Sequence, residues 1–537
     1  MFRRHRVIIN FNGQEFDDII LKRNGLMQKN TNIDLRKVMK KRGNFIGYKG
    51  FGFSLDAIAK GLKLANYKDT TFDYDILKKD EWTEEELSYI KEYTLLDIKV
   101  TKDLFEKLRD FFEPFKELLG SWDVREYKYL TSTMPVYAYK VICKETGMKE
   151  EYNSDDVPYI KFPGATVLIP TQPEAHNDIY CLDFNSLYPH DDIQGNLYSY
   201  NCKCCKEEEK WHGNDLFPVN GYYCNKKQGK IETVLKNLYI KRREFKILKN
   251  PIEYAIKIVL NSFYGASGNP VFKNIYNRTT VSDCTLIGRK CIELARKMYD
   301  EAGYLILYGD TDSIYLQDPF KDKERLLRIK NNIVNKIKEN LPFPSDTFDM
   351  GIDDEIKHIW FFMSGDRLKK KNYIYVTNAG KLVVKGMPMI KSDSSGLGYE
   401  IFKKYMADDV IKGNVKFSYN FIKEKVEEAI NADMMCVARK YKVIDSKHYK
   451  NEHSIQAEIS NRYGPGLHYL IPNKYVGVGI SVRYCTIEEF KKEKLSISAI
   501  ILNKLWKELE PFLNYVPKSK IIGKSNGQEE LLRWTNI

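Results

Sequence analysis

The sequence has no apolar run approaching the ~18 residues that a membrane-spanning helix requires. The basic start of the chain, Met1-Phe2-Arg3-Arg4, is followed by an apolar stretch far too short for a secretory signal peptide. We find no internal repeat and no long low-complexity segment. These absences exclude membrane-spanning, secreted, solenoid and fibrous proteins, and we expect a globular chain in the cytoplasm, with no membrane partner.

Cysteine is too sparse for a disulfide framework, at 10 residues in 537. One group is concentrated in a short segment and could bind zinc; it comprises Cys202, Cys204, Cys205, His212 and Cys224. Its spacing departs from the paired Cys-x₂-Cys pattern typical of zinc sites. We therefore favour small reduced thiols over a bound zinc ion.

The charge is unbalanced towards lysine and arginine, with 86 basic and 73 acidic residues and a formal net charge of +13. Basic residues cluster in KRREFKILK (241–249) and RLKKKNY (367–373). Such clusters either form solvated surface or bind a polyanion such as nucleic acid. Their position relative to other motifs has to decide between these interpretations.

The length and the hydrophobic patterns predict an α+β, multi-domain protein. Short strands alternate with helical periods in residues 1–115, and a β-like segment covers 158–189. Two helical periods flank Asn250-Pro251, which predicts a helical hairpin. A further strand hairpin should turn at residues 378–380, and the last third is mostly helical and basic.

The stretch YGDTDSIY (308–315) places two carboxylates at the tip of a predicted β-hairpin. Strand periodicity puts Asp310 and Asp312 on one face. An ordinary turn with solvated acids would explain this stretch alone. Asp183, however, ends another apolar strand in DIYCLDFNSLYPH. Carboxylates converging from separate strands are what a pair of Mg²⁺ ions requires.

The predicted helical hairpin carries the complementary charge. Arg242 and Lys246 are four residues apart and share a helical face. On the next helix, Lys257, Asn261 and Tyr264 lie within about 60° of one another. Solvent exposure would explain these cations, but the second helix is otherwise apolar all round. Three cations and three carboxylates indicate a site for a metal-bound triphosphate.

These motifs resemble those of the B family (alpha-like) of DNA polymerases, of the archaeal or viral type. DFNSLYP is similar to its motif A, KIVLNSFYG to its motif B and YGDTDS to its motif C, in the family's order. KKNY (370–373) resembles a later motif that holds primer-template DNA, and FPGA (162–165) resembles a Tyr-x-Gly-Gly/Ala stretch, with Phe162 in place of the tyrosine. Three ordered motifs make coincidence a poor explanation.

The resemblance implies a role for each matching residue in a DNA-directed DNA polymerase. Asp183 and Asp312 would hold two Mg²⁺ ions, for which Mn²⁺ could substitute, with Asp310 in support. Tyr188 would exclude the ribose 2′-OH from the incoming dNTP. Arg242, Lys246 and Lys257 would bind the triphosphate, Asn261 and Tyr264 would line the nascent base pair, and Gly164, Lys370, Lys371 and Tyr373 would contact DNA.

The resemblance also implies a right-hand architecture with a truncated RNase H-like exonuclease domain. The expected parts are an exonuclease-like domain (1–115), a helical connector (116–175), a palm (176–220 and 266–395), fingers (221–265), a thumb (396–520) and a tail (521–537). The intervals from Pro189 to Lys257 and from Lys257 to Asp310 leave little room for the extra segments of protein-primed members. We therefore expect a nucleic-acid primer.

The exonuclease resemblance is incomplete. NFNGQEFDD matches the second exonuclease motif with Asn12 and Asp17, and YTLLD matches the third with Tyr93 and Asp97. The first motif, Asp-x-Glu, is missing, because residues 1–11 contain no acid. Two metal ions cannot be held by Asp17 and Asp97 alone. We expect negligible proofreading by this chain alone, and a separate chain could complete the domain.

The tail sequence GQEELLRWTNI places Gln528, Leu531 and Trp534 three residues apart. It resembles the peptide by which archaeal polymerases bind a sliding clamp, although a frayed end packed on the thumb would give the same pattern. The resemblance places the protein in the cytoplasm of an archaeal cell or of an infected host. The two rival functions are a catalytically silent scaffold that only binds primer-template DNA, and a nuclease run by the N-terminal domain.

Overall fold

A computed structural model provides the structure of the protein. It describes residues 7–15, 17–25, 31–46, 48, 53–67, 72, 74–79, 81–119, 132–153, 161–364, 367–390, 397–418, 420–422, 424–425, 428, 439–443, 445–448, 455–476, 481–485 and 506–512. The tail peptide with Gln528, Leu531 and Trp534 lies outside the described residues, so its predicted clamp binding stays a prediction.

The strands of the described residues, in chain order, are Val7–Asn10 (β1), Thr31–Asp34 (β2), Glu174–Phe184 (β3), Trp211–Gly213 (β4), Pro218–Tyr223 (β5), Leu305–Asp310 (β6), Ser313–Gln317 (β7), Met350–Ser364 (β8), Arg367–Thr377 (β9), Leu382–Lys385 (β10), Arg439–Val443 (β11), Gly466–Val476 (β12) and Ser481–Cys485 (β13).

The α-helices are Asp17–Arg23 (α1), Leu35–Arg42 (α2), Leu55–Leu62 (α3), Glu84–Leu119 (α4), Met134–Thr146 (α5), Leu187–Gly195 (α6), Lys230–Ile247 (α7), Ile252–Ser267 (α8), Arg278–Glu301 (α9), Lys323–Glu339 (α10), Leu397–Ile401 (α11), Ala407–Ile411 (α12), Ile455–Tyr463 (α13) and Trp506–Leu509 (α14). None of these described helices is both long and apolar enough to cross a membrane.

The chain forms two compact units. The first, called the helical unit here, comprises Met1–Gly164, Ser186–Gly288 and Ile337–Phe348. The second, called the sheet unit, comprises Ala165–Asn185, Arg289–Lys336 and Asp349–Ile537. The finer six-part division predicted from the sequence stays a prediction.

The sheet unit is built on a six-stranded sheet in the order β10-β9-β8-β3-β7-β6, in which neighbouring strands are antiparallel. Both faces are covered at β7, since Tyr315 on one face and Ile314 and Leu316 on the other are buried. Aromatic rings dominate one face, where Tyr308, Tyr315 and Tyr373 pack together. A second, three-stranded antiparallel sheet joins β11, β12 and β13.

The helical unit has one continuous apolar core, to which α4, α5, α7 and α8 contribute. The predicted helical hairpin is confirmed: α7 and α8 flank Asn250-Pro251, and the Asn250 side chain accepts a hydrogen bond from the Ile252 N–H at 2.9 Å. An apolar face on α8 explains its burial, since Ala255, Val259 and Phe263 have exposures of 1% or less. Near the N-terminus, β1 and β2 form a two-stranded parallel sheet.

Candidate active site

Asp183 lies near the end of a central strand of the sheet unit. It pairs with Ser313 of β7 on one side and with Gly351 of β8 on the other. The following residue, Phe184, donates its backbone N–H to the carbonyl oxygen of Asp312 at 2.9 Å. Two neighbouring strands therefore hold the backbones of Asp183 and Asp312 side by side, as the sequence predicts.

Asp310 and Asp312 occupy the tip of the predicted hairpin. Asp310, the last residue of β6, pairs with Ser313, so the loop consists of Thr311 and Asp312. Thr311 has a φ of 58°, a left-handed conformation that is costly for a β-branched residue. The Thr311 N–H donates to the Thr166 carbonyl at 3.0 Å, and its hydroxyl donates to Asp310 Oδ1 at 3.0 Å. These two hydrogen bonds offset the strain of the left-handed backbone, and strained backbone of this kind is common where a loop positions functional groups.

The site concentrates negative charge in a partly buried place. The pKa of Asp183 is raised from 3.8 to about 7, first by burial and then by the neighbouring charges of Asp312 and Asp353. Burial, with a smaller contribution from Asp310, also raises the pKa of Asp312. A group of acids that resists ionisation in this way is suited to a divalent cation, and carboxylate oxygens are ligands that Mg²⁺ prefers.

The carboxylates of Asp183, Asp310 and Asp312 do not converge on one point. Within the part of the chain that the structure describes, they are not among the groups of three or more ligand atoms that all lie within 4.8 Å of one another. Two ligands of one Mg²⁺ ion lie at most about 4.2 Å apart, because each bond is about 2.1 Å long. These side-chain positions therefore do not place all three acids on a single ion.

Asp353 is an acid of this site that the sequence reasoning missed. It lies on β8, next to the residues that pair with β3, and its charge raises the pKa values of both Asp183 and Asp312. The only signal in the sequence is the acidic run GIDDE (351–355), which lacks a motif of its own.

The predicted DNA-binding stretch KKNY lies on β9, beside the hairpin. Lys371 Nζ forms an ion pair with Asp310 Oδ1 at 2.8 Å, and the Lys371 N–H donates to the Tyr308 hydroxyl at 3.0 Å. Tyr373 is 4% exposed, and its hydroxyl lies 2.9 Å from that of Tyr315. Lys370 is exposed. Tyr373 therefore packs within the sheet unit, whereas the side chains of both Lys370 and Lys371 reach solvent.

The residues that follow FPGA contact the backbone of the hairpin that carries Asp310. The Pro163 carbonyl accepts a hydrogen bond from the Thr285 hydroxyl at 2.9 Å, which fixes the chain just before Gly164. Beyond Gly164, Val167 forms an antiparallel bridge with Asp310, and the Leu168 N–H donates to the Gly309 carbonyl at 2.9 Å. The segment after Gly164 thus backs the hairpin that carries Asp310.

In the helical unit, Arg242 is already engaged. Its Nε donates to Glu253 Oε1 at 2.9 Å, and its Nη1 donates to the Ser186 hydroxyl at 3.1 Å. Ser186 has a φ of 48° and forms the turn before α6. Arg242 therefore links both helices of the hairpin to that turn, and these two bonds use two of its five N–H donors.

The other predicted nucleotide-binding residues are more open. Lys246 on α7 and Lys257 and Asn261 on α8 are exposed. The rings of Tyr188 and Tyr264 pack at a centroid distance of 4.6 Å with an interplanar angle of 33°. The helical unit thus brings together the two aromatic residues predicted to surround the incoming nucleotide.

The exonuclease-like residues lie in the helical unit, with Tyr93 and Asp97 together on one helix. Asn12 accepts a hydrogen bond from Arg36 at 2.6 Å, and Asp17 is the first residue of α1. Tyr93 and Asp97 are one turn apart on α4, where the Tyr93 ring stacks on Phe72 at 4.1 Å. Their predicted roles remain predictions.

The cysteines, in contrast, converge. The thiols of Cys202, Cys204, Cys205 and Cys224 all lie within 4.8 Å of one another. His212 is not part of this group; it is exposed, and its Nδ1 lies 3.3 Å from the Lys210 carbonyl oxygen. These four cysteines and His212 were the possible zinc ligands of the sequence, although their irregular spacing favoured reduced thiols over a bound ion.

Comparison with known proteins decides the family. The model of DNA polymerase family B matches residues 134–463, which is more than half of the chain. The chain belongs to DNA polymerase family B. The sequence-based assignment to this family is thereby confirmed.

Curated family B relatives from archaea are similar over part of their length. A DNA polymerase of Pyrococcus glycovorans is 27% identical over 401 residues, covering 70% of this chain and 49% of that protein. A DNA polymerase of Thermococcus gorgonarius is 25% identical over 459 residues, covering 81% of this chain and 55% of that protein. The chain thus spans about half the length of the curated relatives that it matches.

The fold is also similar to a solved family B structure. The family B DNA polymerase from the archaeon Pyrobaculum calidifontis matches with a TM-score of 0.53 and 17% identity, over 92% of this chain and 69% of that one. This likeness and the mixed helices and strands confirm the expected multi-domain α+β class.

Proposed function

We propose that this family B chain is a template-directed DNA polymerase that adds dNTPs to a primer 3′-OH. The observation that carries the proposal is the pairing of β3, β7 and β6, which brings Asp183 next to the hairpin of Asp310 and Asp312. Three acids at the end of one sheet, in a chain of this family, fit phosphoryl transfer assisted by two metal ions.

Asp183 and Asp312 are the proposed ligands of the ions, which are Mg²⁺ with Mn²⁺ as a substitute. When bound, two such ions lower the pKa of the 3′-OH and stabilise the charge on the reacting α-phosphate. Asp310 supports the site through its ion pair with Lys371 at 2.8 Å. Because Asp183 sits on a strand paired on both sides, its backbone holds the ligand in place with little freedom.

The helical unit supplies the proposed nucleotide contacts. Lys246 and Lys257, exposed on α7 and α8, bind the triphosphate as point charges. Arg242 joins them through N–H groups other than those that bond Glu253 and Ser186. Asn261 lines the nascent base pair.

Tyr188 and Tyr264, packed against each other, shape the sugar and base pocket. The Tyr188 ring then selects deoxyribose by clashing with a 2′-OH.

Primer-template DNA is the proposed partner. Lys370 and its basic neighbours supply phosphate contacts of the kind that dominate affinity for DNA. The palm, fingers and thumb division belongs to the same proposal. The right-hand palm corresponds to the sheet unit's six strands and the fingers to α7 and α8.

A proofreading activity is not part of the proposal for this chain alone. Asp17 and Asp97 provide too few carboxylates for two metal ions.

Primer extension tests the function. Purified full-length chain should extend a primer on a DNA template with dNTPs and Mg²⁺. Asp312→Asn should abolish extension, whereas Asp346→Asn, which changes an exposed acid outside the carboxylate site, should leave it unchanged. Binding of primer-template DNA without extension by the unmodified chain would favour the silent scaffold and overturn the proposal. Degradation of the primer in place of extension would favour a nuclease.

A further inference from the structure

The strongest unassigned feature is the group of four thiols in the helical unit. The sulfur of Cys224 lies 3.3 Å from that of Cys204 and 3.5 Å from that of Cys205. Cys204 and Cys205 are 3.8 Å apart, and all four sulfurs, including that of Cys202, fall within 4.8 Å. Within the described residues, this is the only group of three or more potential metal ligands that is so compact.

These separations match a tetrahedral thiolate site. Zinc–sulfur bonds of about 2.3 Å place the four sulfurs of a tetrahedron about 3.8 Å apart. The three sulfur–sulfur distances given above lie within about 0.5 Å of that value, so small side-chain movements would complete the geometry. A disulfide needs sulfurs about 2.05 Å apart and uses only two of the four residues. Four thiolates in a tetrahedron are typical of zinc or iron, and zinc is the ion that closed structural sites of this kind bind.

The local charge suits such a site. Four thiolates and one Zn²⁺ ion carry a net charge of about −2. Lysines flank the cysteines directly in the sequence, in CKCCK and in CNKK, at positions 203, 206, 226 and 227. The carboxylate of Glu209 accepts hydrogen bonds from Lys226 Nζ at 2.7 Å and from the Lys206 N–H at 2.9 Å. The excess of lysine compensates the charge of a zinc–thiolate centre.

The backbone around the cysteines is held independently of any ion. Buried Asn196, in a left-handed conformation with a φ of 53°, donates from its amide to the carbonyls of Cys224 and Lys227 at 2.7 and 3.0 Å. Its side-chain oxygen accepts from the Gly229 N–H at 2.8 Å, at the start of α7. The Ser199 hydroxyl accepts from the Cys224 N–H at 2.8 Å. These bonds preorganise the Cys224 side of the group.

We propose that Cys202, Cys204, Cys205 and Cys224 bind one structural zinc ion. The ion ties the chain after α6 to the turn that enters α7, the helix that carries Arg242 and Lys246. All four ligands come from the protein, so the site is closed and its role is structural. The site is separate from the carboxylates of the sheet unit in both ligand type and position in the chain. The zinc proposal can therefore be tested independently of the proposed polymerase activity.

Metal analysis of the full chain tests the proposal. Protein purified without added metal, and washed with excess Mg²⁺, should contain about one zinc and little iron per chain. Cys204→Ser and Cys224→Ser should each lose most of that zinc. The controls are Cys291→Ser, a buried thiol outside the group, and Asp312→Asn, and both should keep it. His212→Ala should also keep it.

Two further measurements separate zinc from the alternatives even if a serine variant fails to fold. After chelation, the unmodified chain loaded with Co²⁺ should show the thiolate charge-transfer and d–d absorption of a tetrahedral site. Alkylation of the denatured, unreduced chain should modify all four cysteines. Loss of two alkylation sites to a disulfide, an iron content that exceeds zinc, or zinc that persists in Cys204→Ser and Cys224→Ser would each overturn the proposal. Asn196→Ala should weaken zinc affinity about 10- to 100-fold if the backbone bonds position the ligands.

Discussion

Replacing Asp183 by asparagine should make the protein more stable while abolishing its proposed activity. Burial and the charges of Asp312 and Asp353 raise the pKa of Asp183 from 3.8 to about 7. Each pKa unit corresponds to about 1.36 kcal/mol, so keeping this carboxylate ionised in the folded protein costs at most about 4 kcal/mol. Asparagine has nearly the same shape and no charge.

The raised pKa of Asp183 also predicts how the stability difference between the two proteins changes with pH. Because the folded pKa lies above the unfolded value, the acid costs nothing below about pH 3.8, where it is protonated in both states. The cost grows as the pH rises from about 4 to 7 and is constant above that. Asp183→Asn should therefore gain thermal stability over the unmodified chain across this window, up to roughly 8–16 °C in Tm for a unit of this size.

Differential scanning calorimetry of both proteins between pH 5 and 8, without divalent ions, measures the effect. Added Mg²⁺ should raise the Tm of the unmodified chain more than that of the variant, because the ion binds the carboxylate that the variant lacks. Asp346→Asn, an exposed acid, should show no such pH-dependent gain. A Tm difference that is equal at pH 5 and pH 8, or a variant less stable at pH 8, would refute the electrostatic argument.

Two further substitutions test the residues around the site. A Cβ at Gly386, where φ is 61°, would lie 1.7 Å from the Lys371 carbonyl oxygen, so Gly386→Ala should destabilise the protein by about 2–4 kcal/mol in a denaturation experiment. Gly380→Ala, at a φ of 79° with nothing within 4 Å, should cost only about 1–2 kcal/mol, and equal losses would contradict the steric argument. Lys257→Ala should lower kcat/KM for dNTPs about 10²- to 10³-fold with little change in Tm, unlike Lys241→Ala on the neighbouring helix; equal kinetic effects would refute a specific role for Lys257.

The local parts of this fold were predictable because their signals are local. The strand period and the polar step of YGDTDS predicted the β6–β7 hairpin, and the structure places Asp310 and Asp312 at its tip. Asn250-Pro251 likewise predicted the break between α7 and α8, and Gly380, with a φ of 79°, lies in the predicted turn between β9 and β10.

Contacts between distant segments were beyond this kind of reasoning. The ion pair of Arg242 with Glu253 depends on how two helices pack, which no periodicity specifies. The role of Asp353 depends on the pairing of β8 with β3, whose residues are about 170 positions apart in the chain. The cysteine group was named from the sequence as a possible zinc site, but its irregular spacing could not specify which members meet, and the structure brings the four thiols together without His212.

The order of strands in the six-stranded sheet gives the three acids unequal freedom. Asp183 stands on β3, which lies between two strands of the sheet, whereas Asp310 ends β6, the outermost strand, whose outer side is bonded to the irregular segment 166–171 and not to a further strand of the sheet. An outermost strand opens more readily than an interior one, because fewer bonds must break. We therefore expect the hairpin to move more than β3 when the site adjusts to ions of different size, and any such movement also displaces the segment 166–171 that is bonded to it.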